Sequence, residues 1–224
     1  MIFLAGSIVR GEGTPYSDLD LVVIFDNLPA AYCESFYFQG IAVEAFVHDP
    51  KTLNYFLYEV DRPSGIPALA QMILEGVEIP EASEFSQSLK QLAASVIELG
   101  PPSLSKEDIR KLRYNITNIV DDIRQPRSKD ELVASGTDLY EALADYYFRV
   151  NNLWSAKGKS IPRVLKQADV DLCLRYCNSF EELFAGGQPV KVIALAEEIL
   201  KPYGGFLFDG HKLDAPANWR KPLA

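Results

Sequence analysis

The spacing of hydrophobic positions changes from strand-like to helical near Lys51. Before that point short apolar runs alternate with turn residues. Ile2-Phe3-Leu4-Ala5 is a brief apolar run, residues 7–11 form a turn, and residues 18–25 read as a strand that Asn27 to Ala30 interrupts. The aromatic run Ser35-Phe36-Tyr37-Phe38, the punctuation Gln39-Gly40 and the run from Ile41 to Val47 predict a hairpin of two further strands. Helices are expected over 51–60 and 66–74, separated by Arg62-Pro63-Ser64-Gly65 and ended by Gly76. Residues 77–84 read as a loop, and residues 85–99 as an amphipathic helix stopped by Gly100-Pro101-Pro102.

That Gly-Pro-Pro divides an α/β first domain, 1–100, from an all-helical second domain, 101–224. Ser105, with acids in the turn after it, starts a helix whose stripe Ile109, Leu112, Ile116, Val120 and Ile123 lasts until Gln125-Pro126. Ser128-Lys129-Asp130-Glu131 is a capping box for a helix expected to reach Trp154, with Gly136 as its weak point. Helices over 161–167, 171–184 and 190–200 complete an expected bundle with short connections, and the tail from Gly204 reads as an irregular strap.

Composition narrows the class. With 224 residues, 48% hydrophobic and 24% charged, the chain is an ordinary globular protein with enough apolar content for a real core. No apolar run approaches about eighteen residues, and the N-terminus lacks the basic flank of a signal peptide, so a cytoplasmic protein without a membrane partner is expected. Three cysteines do not suggest a disulfide framework; Cys173 and Cys177, four apart on a helix, are read as core packing. A net charge of −9 and a pI near 4.8 argue against a nucleic-acid partner, which calls for a basic face. They suit a neutral or cationic small molecule better.

The candidate chemistry lies in Gly6-Ser7, Arg10-Gly11 and Ser17-Asp18-Leu19-Asp20, which lead straight into the apolar run Leu21 to Phe25. Asp18 and Asp20 are two residues apart, the period of a strand, and so point to the same side. Two such carboxylates repel unless a cation, most simply a divalent metal, lies between them. The small-residue turn upstream suits the phosphates such a metal carries. Glu44 is the odd residue in an otherwise apolar strand: it either meets the same metal or points into water from an edge.

This order of features resembles the signature of the nucleotidyltransferase superfamily, most closely the branch of kanamycin nucleotidyltransferase and the minimal nucleotidyltransferases. The resemblance implies a nucleotidyltransferase-like α/β (α+β) domain with a small mixed sheet, followed by an all-α helical bundle. It implies transfer of a nucleoside monophosphate, AMP from ATP or from another NTP donor, to a hydroxyl of a small-molecule acceptor, with an aminoglycoside-like antibiotic as one candidate. Asp18, Asp20 and Glu44 would hold Mg²⁺; Gly6, Ser7, Arg10 and Ser17 would face the donor phosphates, although Arg10 reads equally well as a solvated turn residue. A looser similarity to bacterial nucleotidyltransferase-like proteins covers Arg113 to Ile123 and Trp154 to Lys159.

The general base would come from the helical domain. Asp122, or its neighbour Asp121, is the first choice, with Glu141 and Asp145 as further candidates; an ion network of Asp121-Asp122 with Arg113 or Arg124 explains the same residues without catalysis. Lys157 and Lys159 either reach a phosphate or stay solvated. His48 and His211 are too few for a histidine metal site. Two other readings remain: an antitoxin acting on a protein partner, and a nucleotide sensor that turns over nothing. The relatives carry a helix before the first strand that this chain does not show, so one sheet face is expected to need cover from the C-terminal strap, a second subunit in a homodimer, or residues upstream.

Overall fold

The computed structural model describes residues 1–216 and 219–220. Residues 217–218 and 221–224, part of the expected strap, lie outside the described residues. The chain divides into two compact units, Met1–Ser103 with Asn152–Ser155, and Leu104–Asn151 with Ala156–Ala224. Among the described residues, no helix is long and apolar enough to cross a membrane.

The first unit is built on a five-stranded mixed sheet in the order β3-β4-β2-β1-β5, formed by β1 (Ile2–Ala5), β2 (Leu19–Ile24), β3 (Tyr32–Phe38), β4 (Ile41–His48) and β5 (Val77–Ile79). Only β2 and β4 run parallel; the other three pairings are antiparallel. One short helix, α1 (Gly6–Val9), follows β1 directly, and α2 (Pro50–Phe56), α3 (Arg62–Ser64), α4 (Ala68–Glu75) and α5 (Glu84–Leu99) come after β4. Phe3, Val22 and Ile24 project from one face into a core shared with Leu53, Ile73 and Leu89 of these helices. Strand alternation puts the intervening residues on the opposite face.

Three elements depart from the sequence reading. Residues 77–79 form the edge strand β5 instead of a loop; three residues carry too little periodicity to announce a strand, and pairing with β1 supplies the order. Arg62-Pro63 does not end a helix, because α2 passes through a π turn at Leu57–Asp61 into α3 and stops only at Gly65, whose φ is 77°. A proline clashes with the carbonyl four residues earlier in an α-helix, and the wider π turn just ahead of Pro63 relieves that clash. Finally, α7 (Lys129–Val150) stops short of Trp154, and the segment 152–155 joins the first unit. There the Trp154 indole N–H donates to the Ile97 carbonyl at 3.1 Å and the Ser155 N–H to the Gly65 carbonyl at 2.7 Å.

The second unit contains α6 (Lys106–Arg124), α7, α8 (Ile161–Ala168), α9 (Val170–Gly186) and α10 (Val190–Leu200), packed around Leu139, Leu143, Tyr146, Tyr176 and Phe180. Ser105 caps α6 in a full capping box. Ser128 caps α7, but Glu131 turns to Arg127 instead of closing the box. Gly136 is a packing position more than a weak point: a Cβ there would lie 2.9 Å from the side chains of Leu183 and Phe184, so its absence lets α7 and α9 approach. Cys173 is buried and its thiol donates to the Pro162 carbonyl at 3.2 Å, a packing role.

Asp61, which the sequence does not single out, caps α4 from a distance. The helix has no side-chain cap at Pro67; instead the buried Asp61 carboxylate accepts the Leu69 and Ala70 N–H groups at 2.8 and 3.1 Å. Burial outweighs these two hydrogen bonds and pushes its pKa up to about 6. An acid raised in the folded state contributes its full stability below its unfolded pKa, near 4, and loses it as pH rises through about 6. Urea unfolding at pH 4 and pH 7 is therefore predicted to show a loss of about 3 kcal/mol for wild type relative to Asp61→Asn, which keeps an acceptor oxygen and does not titrate. Asp61→Ala, which leaves both N–H groups unpaired, is predicted to cost about 1–3 kcal/mol at pH 4.

Candidate functional site

Register, more than proximity in sequence, assembles the acidic site. On the parallel pair of strands Asp20 of β2 lies beside Glu44 of β4, and on the antiparallel pair Asp20 lies beside Ala5 of β1. Asp18 stands just before β2, on the same side as Asp20. One carboxylate oxygen from each of Asp18, Asp20 and Glu44 lies within 4.8 Å of the others, and all three residues are half-buried. Glu44 does not sit on an edge: β4 has β3 on one side and β2 on the other.

Three carboxylates this close repel one another, increasingly so as water is excluded. A hard divalent cation turns that repulsion into coordination, because carboxylate oxygens are its preferred ligands and one or two ions accept three of them. The donor set is all oxygen, which suits Mg²⁺ or Mn²⁺ and not a thiolate- or imidazole-seeking metal.

Gly6 explains why the turn before the acids begins with glycine. Its φ is +76°, and a Cβ at this position would lie 1.8 Å from Oδ2 of Asp20. Any side chain would displace the carboxylate, so Gly6 sets the depth at which Asp20 is held. Ser7, half-buried, follows it in α1, and its carbonyl accepts the Glu12 N–H at 2.9 Å, closing the turn.

The other predicted phosphate contacts have partners within the fold. Arg10 donates from Nε to Glu12 at 2.9 Å and from Nη1 to Glu75 at 2.6 Å, so it ties the turn to the end of α4 and is not a solvated side chain. Partial burial works against its charge, but the Glu12 hydrogen bond and the Glu75 carboxylate outweigh it and raise its pKa. The Ser17 hydroxyl accepts the Thr14 N–H at 2.9 Å and shapes the loop that delivers Asp18.

Asp122 lies in the second unit, exposed on α6, where it lines a surface pocket of about 340 Å³ with Asp121, Gln125, Arg127, Glu131 and Ser135. Asp121 pairs with Arg124 at 3.4 Å. Arg113 takes no part in that network: it is buried and donates to the carbonyls of Gly204 and Gly205 at 2.7 and 2.8 Å. Glu141 accepts the Gly158 N–H at 3.3 Å, and Lys157 and Lys159 are exposed. His48 is buried edge-on against Phe56, and His211 stacks on Tyr114, so both histidines pack against rings.

One neighbour of the site escapes sequence reasoning. The Cys33 thiol on β3 points at Oε1 of Glu44 from 3.9 Å, and desolvation followed by the Glu44 charge pushes its pKa up. Eleven residues separate the two, and only the hairpin register of β3 and β4, with Ser35 beside Glu44, brings them together.

Comparison with known proteins bears on this part of the chain. No curated protein sequence matches it. Among solved structures, a nucleotidyltransferase-like protein from Exiguobacterium sibiricum 255-15 aligns with 83% of this chain at 14% identity and a TM-score of 0.40, and the chain spans 61% of that protein's length. Residues 1–62, which contain β1 to β4 and all three clustered carboxylates, match the model of the nucleotidyltransferase domain.

Proposed function

We propose that this protein is a metal-dependent nucleotidyltransferase that moves a nucleoside monophosphate, AMP from ATP in the first instance, to a hydroxyl of a small acceptor and releases pyrophosphate. The observation that carries the reading is the convergence of Asp18, Asp20 and Glu44 within the segment that matches the nucleotidyltransferase domain. Asp18, Asp20 and Glu44 would hold Mg²⁺, which when bound neutralises phosphate charge and polarises the phosphorus centre. The chain's own residues then divide the remaining work. Gly6 keeps the Asp20 carboxylate at a fixed depth, and the parallel register keeps Glu44 beside it, so the ligands are preorganised on rigid strands. Gly6 and Ser7 present a small-residue surface to the donor phosphates. Arg10 braces that turn through Glu12 and Glu75, a positioning role in place of the direct phosphate contact expected from sequence.

Asp122 is the proposed general base for the acceptor hydroxyl; its pocket mixes acids with Arg127, so the preference for an acceptor with cationic groups rests on the chain's net charge of −9. An amine-bearing polyol such as an aminoglycoside has both the hydroxyl and the charge.

Calorimetry with ATP and Mg²⁺ is predicted to show metal-dependent nucleotide binding by wild type and its loss in the double variant Asp18→Ala/Asp20→Ala. Equal binding by both proteins would overturn the metal assignment. A pyrophosphate-release screen over aminoglycosides, lincosamides and protein hydroxyls then tests transfer; binding without release from any acceptor would make the protein a nucleotide sensor. Gly6→Ala is predicted to weaken Mn²⁺ binding about 10–100-fold, read by paramagnetic relaxation, with the fold retained by circular dichroism. Unchanged affinity would remove Gly6 from the site.

A further inference from the structure

The face of the sheet turned away from the helices is apolar from one edge to the other. Register places Val77 and Ile79 of β5 beside Leu4 and Ile2 of β1, these beside Leu21 and Val23 of β2, and these beside Ala45 and Val47 of β4. On the outer strand β3, Tyr32, Phe36 and Phe38 continue the same face. Across five strands Glu34 is its one charged residue, and it sits on the edge strand.

The helices of the first unit build their core on the other face, with Phe3, Val22 and Ile24. Six large side chains of the apolar face, Tyr32, Phe36, Phe38, Ile41, Val77 and Ile79, are between 42% and 58% exposed. Together they present roughly 600 Å² of apolar surface, the upper end of what a monomer shows in one patch. Ile2, Leu4, Leu19, Leu21 and Val23, partly buried, lie between them and add to this area, while Val43, Ala45 and Val47 of β4 are already buried; the open surface approaches the roughly 800 Å² per partner of a standard interface.

We infer that this face is a homodimer interface, covered by the same face of a second copy of this chain. Three features select a second copy. The open area approaches one side of a standard interface. The face offers no charge to a charged partner, since Glu34 falls at the rim, where interfaces are polar. Side-chain size is also graded across the sheet, with aromatic rings on β3 at one edge and smaller aliphatic side chains on β1 and β5 at the other. A two-fold axis running along the strands lays the bulky edge of one copy over the slighter edge of the other, so the face is complementary to itself. The active-site acids lie on the opposite face, so the inference is independent of the proposed chemistry.

Sedimentation velocity of the full chain from about 1 µM to about 100 µM tests it. Wild type is expected to sediment as a dimer with a dissociation constant at or below about 10 µM. Phe36→Lys and, at the far edge, Ile79→Lys are each expected to weaken association at least about tenfold with far-UV circular dichroism retained. Tyr37→Lys, on the same strand as Phe36 but on the opposite face, is expected to leave the dimer intact. A wild-type monomer at about 100 µM overturns the inference and assigns the face to a different covering chain. Dissociation by Tyr37→Lys as strong as by Phe36→Lys also overturns it, because the strand edge and not the face would then be the contact.

Discussion

Three carboxylates held within 4.8 Å of one another are the constraint around which the first unit is built. Like charges so close are tolerated only where the backbone cannot let them part. Here the parallel register fixes Glu44 beside Asp20, and the left-handed Gly6 presses against the Asp20 carboxylate from the β1 side. The Thr14–Ser17 turn delivers Asp18, and the Arg10–Glu75 pair ties the glycine turn to α4. The residues around the turn thus form a frame that holds the three carboxylates in place.

The two faces of the same sheet have different fates. One is consumed by the helices, whose own placement depends on remote contacts: Asp61 capping α4, Lys90 of α5 reaching both Glu78 and the Gly76 carbonyl on the β5 side, and Trp154 returning from beyond α7 to the end of α5. The other face keeps the large side chains of its outer strands in the open, while Val43, Ala45 and Val47 of β4 at its middle are buried. Val43, flanked in register by Leu19 and Phe36, is sheltered by its neighbours, while the outer rings are not. Burying such a face stabilises by about 25 cal/mol per Å², which makes leaving it wet costly.

In the helical unit a buried cation does the tethering. Arg113 has carbonyl acceptors in the Gly204-Gly205 turn, and the guanidinium lies against Gly204, where φ is +105° and an added Cβ would come within 3.0 Å of Nη2. Thr117, one turn on, accepts the Leu207 N–H at 2.9 Å and continues the attachment. The start of the C-terminal strap is therefore fastened to α6 by polar contacts that span about ninety residues of sequence.

What the sequence alone determined is whatever depends on short-range geometry. The strand period puts Asp18 and Asp20 on one side, the lone Glu44 in an apolar run marks a third acid, and serine caps with 3.6-residue stripes locate the helices. Tertiary structure decided everything that depends on pairing between distant segments. The three-residue β5, the continuation of α2 through Pro63, the return of Trp154 to the first unit and the approach of Cys33 to Glu44 leave no local trace. Arg10 shows the limit most plainly: its position in the turn is local, but the partner that occupies it, Glu75, lies sixty-five residues away and is supplied by the fold.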